Sequence, residues 1–115
     1  MDVKELPETR RRRLSLGHSI VDLDTHRIKA GNREVHLTPT ECSLLEHLAS
    51  HFNRTVPGTE LVRALWGPDA GKGVHSLRVF IKSLRHKIEA SPARPRYIVT
   101  EPRIGYRLQV PRGDS

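Results

Sequence analysis

Over residues 14–37 apolar and polar residues alternate in short runs. Leu14 and Leu16 alternate with polar neighbours, and Ser19-Ile20-Val21-Asp22-Leu23 follows, then Arg27-Ile28-Lys29-Ala30 and Glu34-Val35-His36-Leu37. Asp24-Thr25 and Gly31-Asn32 interrupt them. A two-residue period broken by turn formers predicts antiparallel strands joined by hairpins, and so a small sheet over residues 14–37. The period then changes. Thr38-Pro39-Thr40-Glu41 has the form of a helix start: a threonine cap, a proline where no backbone donor is needed, and a glutamate able to reach back to the cap amide. Leu44, Leu45, Leu48 and Phe52 follow at helical spacing, and Asn53 suits the left-handed conformation that ends a helix.

A second helix is predicted over residues 59–66, with Leu61, Val62, Leu65 and Trp66 as its apolar stripe and Gly67-Pro68 as its stop. Residues 67–73, with three glycines and a proline, read as a loop. The third helix is predicted from about residue 74 to residue 90. On a wheel of about 100° per residue, Leu77, Phe80, Ile81, Leu84 and Ile88 share one side. His75, Arg78, Val79, Lys82, Ser83, Arg85 and His86 fall off that stripe, so the helix packs inward on one side and offers a cationic flank outward. Ser91-Pro92 and Arg94-Pro95 end it. Residues 97–100 and 106–110 are β-rich runs around Glu101-Pro102-Arg103-Ile104-Gly105, which predicts a hairpin with Arg103 at its tip. The expected architecture is α+β: an N-terminal antiparallel sheet, three helices and a C-terminal hairpin.

Composition narrows the function. A chain of 115 residues suits one domain, here residues 14–110, with residues 1–13 as a basic tail or linker and 111–115 as a second tail. No run approaches ~18 apolar residues, so no transmembrane helix is expected. Residues 1–13 lack the apolar stretch of a signal peptide. The single cysteine, Cys42, lies at the edge of the first helix's apolar stripe and reads as a small core residue, not a nucleophile. A reducing, cytoplasmic location and no membrane partner are expected.

The net charge of +7 is unevenly placed. Residues 1–13 sum to +2, residues 14–73 to −1, and residues 74–107 to +6. The excess therefore lies on the third helix and the hairpin, the footprint of a nucleic-acid surface. A helix fits the major groove of B-DNA, and a basic hairpin beside it can lie along the backbone or the minor groove. His75, Val79 and Ser83 are candidates for base-edge contact, and Arg78, Lys82 and Arg85 for DNA contact more generally. With only five aromatics, three of them (Phe52, Phe80, Trp66) on predicted core stripes, a base-stacking RNA reader is disfavoured. No phosphate loop, nucleophile elbow or zinc-protease motif occurs, so no enzyme and no cofactor are expected. His47 and His51 have a spacing that can bind metal. No Glu at the next position and no third His or Cys accompanies them, so they read as a polar flank and no metal is expected.

Four ordered motifs resemble the C-terminal domains of OmpR/PhoB-type response regulators. They are Thr38-Pro39-Thr40-Glu41-Cys42-Ser43-Leu44-Leu45 at the first helix, Trp66-Gly67 after the second, Ile81-Lys82-Ser83-Leu84-Arg85-His86-Lys87-Ile88 in the third, and Gly105-Tyr106-Arg107 after the hairpin. Three stretches are most similar to the subgroup that regulates a potassium-uptake operon: Val35-His36-Leu37-Thr38-Pro39, Trp66-Gly67-Pro68 and Pro92-Ala93-Arg94-Pro95-Arg96. The resemblance implies a winged helix-turn-helix with a four-stranded N-terminal sheet. It implies double-stranded DNA as partner, read as tandem direct repeats with a second copy of the domain alongside. His75, Ser76, Arg78, Val79, Lys82, Ser83, Arg85 and His86 would then belong to the recognition helix, and Thr100 and Arg103 to the wing. The loop after the second helix, with Pro68, Asp69 and Lys72, would touch RNA polymerase. The family's receiver domain has no counterpart in the 115 residues, so the chain reads either as the effector domain of a two-component regulator or as a stand-alone regulator. A winged helix serving protein interaction without DNA is the remaining alternative. At the start of the recognition helix the family's Arg-Thr-Val-Asp is replaced by His75-Ser76-Leu77-Arg78, Cys42 replaces a common aromatic, and Arg103 stands where relatives have glycine. Operator preference therefore does not transfer from the family.

Overall fold

The structure, a computed structural model, describes residues 12–68 and 73–110. The expectations placed on residues 1–11 and 111–115, and on Asp69 and Lys72, lie outside the described residues.

Four short strands form an antiparallel meander: β1 (Arg13–Leu16), β2 (Ser19–Asp22), β3 (Arg27–Ala30) and β4 (Arg33–His36), in that spatial order. Leu14 faces Val21, Val21 faces Ile28, and Ile28 faces Val35, so one apolar residue per strand forms a continuous row. Val21 and Ile28 are completely buried in it. The row recurs every seven residues along the chain because the centres of the three turns are themselves seven residues apart. Gly17 makes the first turn with φ +66, and a Cβ there would meet the Tyr97 hydroxyl, so both space and backbone demand glycine.

Helix α1 (Pro39–Ser50) starts as the sequence predicts. The Glu41 N–H donates to Thr38 Oγ1 at 3.1 Å, and the Thr38 N–H donates back to Glu41 Oε1 at 2.9 Å. Cys42, Leu44, Leu45 and Leu48 are buried. The stripe does not extend to Phe52, which is 38 % exposed. The helix stops at Ser50, and beyond its last turn the 3.6-residue period no longer decides which way a side chain points. Asn53 takes φ +68, as expected, and its N–H donates to the Leu108 carbonyl.

Strand β5 (Thr55–Pro57) is absent from the sequence-based reading. It is three residues long and includes a proline, so nothing local marks it. Helix α2 (Gly58–Trp66) follows at once, and only Leu61 of its stripe is fully buried. Helix α3 (Gly73–Ile88) buries Leu77, Ile81, Leu84 and Ile88, while Phe80 lies half-buried with its ring 5.9 Å from that of Trp66. Full burial of one such aliphatic side chain contributes about 1.5–3 kcal/mol. The helix ends two residues earlier than predicted, because Glu89 turns inward to accept backbone donors.

The chain closes with β6 (Ile98–Glu101) and β7 (Gly105–Leu108), the predicted hairpin, and β5 adds to it in the order β5-β7-β6. Gly105 pairs with Pro57, and a Cβ on it would sit 1.9 Å from the Val56 carbonyl oxygen. Only glycine permits this approach. One buried cluster, from Leu16 and Val21 through Leu44, Leu61 and Leu84 to Ile98 and Leu108, joins both sheets to the three helices.

Candidate nucleic-acid interface

The face of α3 opposite its buried stripe is open. Arg78, Lys82 and His86, four residues apart, form a row along it, flanked by His75 and Val79, and all five are exposed. Ser76 is half-buried beside them. Among the described residues no ion pair engages Arg78, Lys82 or Arg103. Arg103 sits exposed in the turn of the β6–β7 hairpin with φ +67, a left-handed conformation that glycine adopts without strain. Helix and hairpin enclose an open cleft of about 1060 Å³, with Arg78, Lys82, Arg85 and His86 on one wall and Thr100 and Arg103 on the other.

Arg85 holds the two walls in register. Its Nε donates to the Ile98 carbonyl at 2.9 Å and its terminal nitrogen to Thr100 Oγ1 at 2.7 Å. Burial pulls its pKa below the usual arginine value, but the guanidinium stays charged at neutral pH. Arg85 and Thr100 thus link α3 to the β6–β7 hairpin. Glu101, the acidic residue of the wing, is paired with Arg107 at 2.6 Å, and Arg107 also donates to Thr55 Oγ1 on β5. That pairing neutralises the carboxylate at the edge of the cleft.

Ser83 faces elsewhere. It is half-buried and donates its hydroxyl to the Glu41 carboxylate, on the flank of α3 that packs against α1. Lys87 lies on the same flank, with Nζ 2.5 Å from Glu41 Oε1 and 2.9 Å from the His36 carbonyl. Burial works to raise the Glu41 pKa, but hydrogen bonds from Lys87, Ser83 and the Thr38 amide outweigh it and hold the carboxyl below its usual value. The sequence marks Glu41 as a capping residue, and the packing of α3 on α1 gives it Lys87 as partner. The sequence-based reading assigned no role to Glu89, whose buried carboxylate accepts the N–H groups of Arg96, Tyr97 and Ile98 and so fixes the path from α3 into the wing. A lone acid at the end of a cationic helix was the available signal for Glu89.

Other singled-out residues fall as follows. Pro68 is exposed just after α2. Arg12 and Arg13 belong to the domain and not to a tail: Arg13 opens β1, and Arg12 pairs with Asp24 and with Glu46 of α1. Cys42 is buried, donates its thiol to the Leu23 carbonyl at 3.4 Å, and has its pKa pushed up by burial, which disfavours the thiolate. Among the described residues no helix is long and apolar enough to cross a membrane.

A meander sheet, three helices with an open cationic face on the third, and a C-terminal hairpin together form a winged helix of the kind found in the DNA-binding domains of OmpR/PhoB regulators. Residues 32–108 match the family model described as "Transcriptional regulatory protein, C terminal", and the chain belongs to that family. It is 42 % identical over 90 residues to the KDP operon transcriptional regulatory protein KdpE of Escherichia coli, covering 78 % of this chain and 40 % of that one. It thus spans about two fifths of that relative's length. The fold superposes on the response regulator DrrB of Thermotoga maritima, an OmpR/PhoB homologue, with TM-score 0.73 and 26 % identity, covering 84 % of this chain and 44 % of DrrB. It also superposes on the DNA-binding domain of E. coli CadC with TM-score 0.64 and 28 % identity, covering 88 % and 95 % of the two chains.

Proposed function

We propose that this domain binds double-stranded DNA sequence-specifically and regulates transcription as the effector domain of a two-component response regulator. One observation carries the reading: the Arg78–Lys82–His86 row is exposed and engaged in no ion pair among the described residues, beside a wing whose tip presents a further cation, Arg103. A 16-residue helix is about 24 Å long and enters a major groove about 12 Å wide. Val79, 51 % exposed within that row, suits contact with a thymine methyl, and His75 and Lys82 suit base edges. Arg103 serves the backbone or minor groove, Arg85 and Thr100 set the angle between helix and wing, and Ser83 acts through its bond to Glu41.

The similarity to KdpE supports a potassium-uptake operon as the regulated target. On DNA a second copy occupies an adjacent direct repeat, and the loop carrying Pro68, Asp69 and Lys72 meets RNA polymerase in the cytoplasm. The test is selection of binding sites from a random duplex pool, followed by anisotropy titrations on the selected site across a salt series. With five or six phosphate contacts, log K falls against log salt with a slope of about −5. Failure to enrich any duplex sequence, or a slope near zero, refutes the reading.

A further inference from the structure

Fold contacts bring a third ligand to the histidine pair of α1. His47 and His51 are one turn apart, and Glu60 arrives from the first turn of α2. One donor atom from each lies within 4.8 Å of the others: His47 Nε2 is 2.9 Å and His51 Nε2 is 3.9 Å from Glu60 Oε2. Donors about 2.1 Å from a tetrahedral ion are separated by about 3.4 Å, a value that these two distances bracket. None of the three residues lines the cleft between α3 and the wing.

The hydrogen bonding around His51 fixes which nitrogen is free. Ser50 donates its hydroxyl to the His47 carbonyl at 2.8 Å, so toward His51 Nδ1, 3.1 Å away, it acts as acceptor. The His47 carbonyl, also 3.1 Å from Nδ1, is a second acceptor. Nδ1 must therefore carry the proton. In the neutral ring Nε2 then turns a lone pair toward Glu60 Oε2, 3.9 Å away, and a cation between them would satisfy both. A backbone carbonyl that orients one imidazole nitrogen so that the other is left for a metal is the usual support of a metal-bound histidine.

We propose that His47, His51 and Glu60 form a binding site for a zinc-type divalent metal ion, with water in the fourth position. Two imidazole nitrogens and one carboxylate select a borderline transition metal over calcium or magnesium. The ion ties the C-terminal turn of α1 to the N-terminal turn of α2, across the segment that contains β5. It thereby stabilises the connection that β5 makes to the wing.

The experiment is thermal unfolding of the tag-free chain with Zn²⁺ and, separately, Ca²⁺, together with direct calorimetric titration of Zn²⁺. Zinc at about a hundredfold excess over its dissociation constant should raise Tm by about 10 °C, with one ion bound per chain, and calcium should leave Tm unchanged. His51→Gln and Glu60→Gln should each weaken zinc binding at least tenfold while circular dichroism shows a folded domain, and His18→Gln, at an exposed turn remote in sequence, should keep the wild-type response. Zinc binding that persists undiminished in both His51→Gln and Glu60→Gln, an equal response to calcium, or no one-to-one binding by the wild type overturns the proposal.

Discussion

On one flank of α3, Lys87 and Ser83 direct an ammonium and a hydroxyl to a single buried carboxylate, that of Glu41. On the opposite flank Arg78, Lys82 and His86 stand in water, and no ion pair among the described residues engages Arg78 or Lys82. Lys82 and Lys87 are chemically identical and five residues apart. At helical spacing five residues turn the side chain through about 140°, enough to carry one lysine to a packed neighbour and leave the other free. A cationic helix therefore need not be an interface all round. The paired flank fixes the helix to α1, and that rigidity lets the unpaired flank present a defined pattern of charge.

The largest perturbation removes both flanks together. Leu84→Ala empties a completely buried position on the stripe between them and should cost about 2–5 kcal/mol, seen as a lower urea midpoint, with DNA binding lost in proportion to unfolding.

Next, Glu41→Gln breaks only the paired flank. It leaves the partly buried Lys87 ammonium without its counter-charge and should cost about 2 kcal/mol at neutral pH, with DNA affinity of the folded protein unchanged below the melting transition. This cost is pH-dependent in a definite direction. Because the folded pKa of Glu41 is lowered, its contribution is fully present above the unfolded value near 4.5 and fades as pH falls through the lower folded value. The stability gap between wild type and Glu41→Gln should therefore narrow below about pH 4.5. A gap constant down to pH 3 would mean that the carboxylate charge is not what secures this flank.

Lys82→Ala tests the open flank. Stability should change by no more than about 0.5 kcal/mol, while affinity for the selected duplex falls by about 1–2 kcal/mol, unequally across a panel of single-base variants. If Lys82→Ala binds as wild type and Lys87→Ala, still folded, does not, the two flanks have been assigned the wrong way round. The smallest effect is expected from Arg103→Ala. It should weaken all duplexes about equally, by less than about 1 kcal/mol, and make the salt slope less steep by about one.

Most of the fold was legible because local physics marked it. The capping box at Thr38 and Glu41, the two-residue alternation over β1–β4 and the stripe of α3 all act within a few residues of one another. What escaped was set by distant partners. Strand β5 exists because Thr55, Val56 and Pro57 meet Arg107, Tyr106 and Gly105, some fifty residues away. Phe52 was misplaced because a helical period was carried past the end of its helix. On the wheel Arg85 was indistinguishable from Lys82 as a free cation, and only the position of β6 shows that it joins helix to wing.

The sequence alone determined where the three helices and the strands other than β5 begin to within a residue or so, which face of most of them is apolar, and that the positive charge gathers on residues 74–107, because propensity, periodicity and formal charge are properties of neighbours along the chain. Tertiary structure alone decided which charges are neutralised and which remain available: Lys87 by Glu41, Arg107 by Glu101, Arg12 by Asp24 and Glu46. It alone brought Glu60 to His47 and His51. Electrostatic pairing and metal ligation depend on separation in space, falling off over a few ångströms, and packing sets those separations between residues that the chain itself keeps far apart.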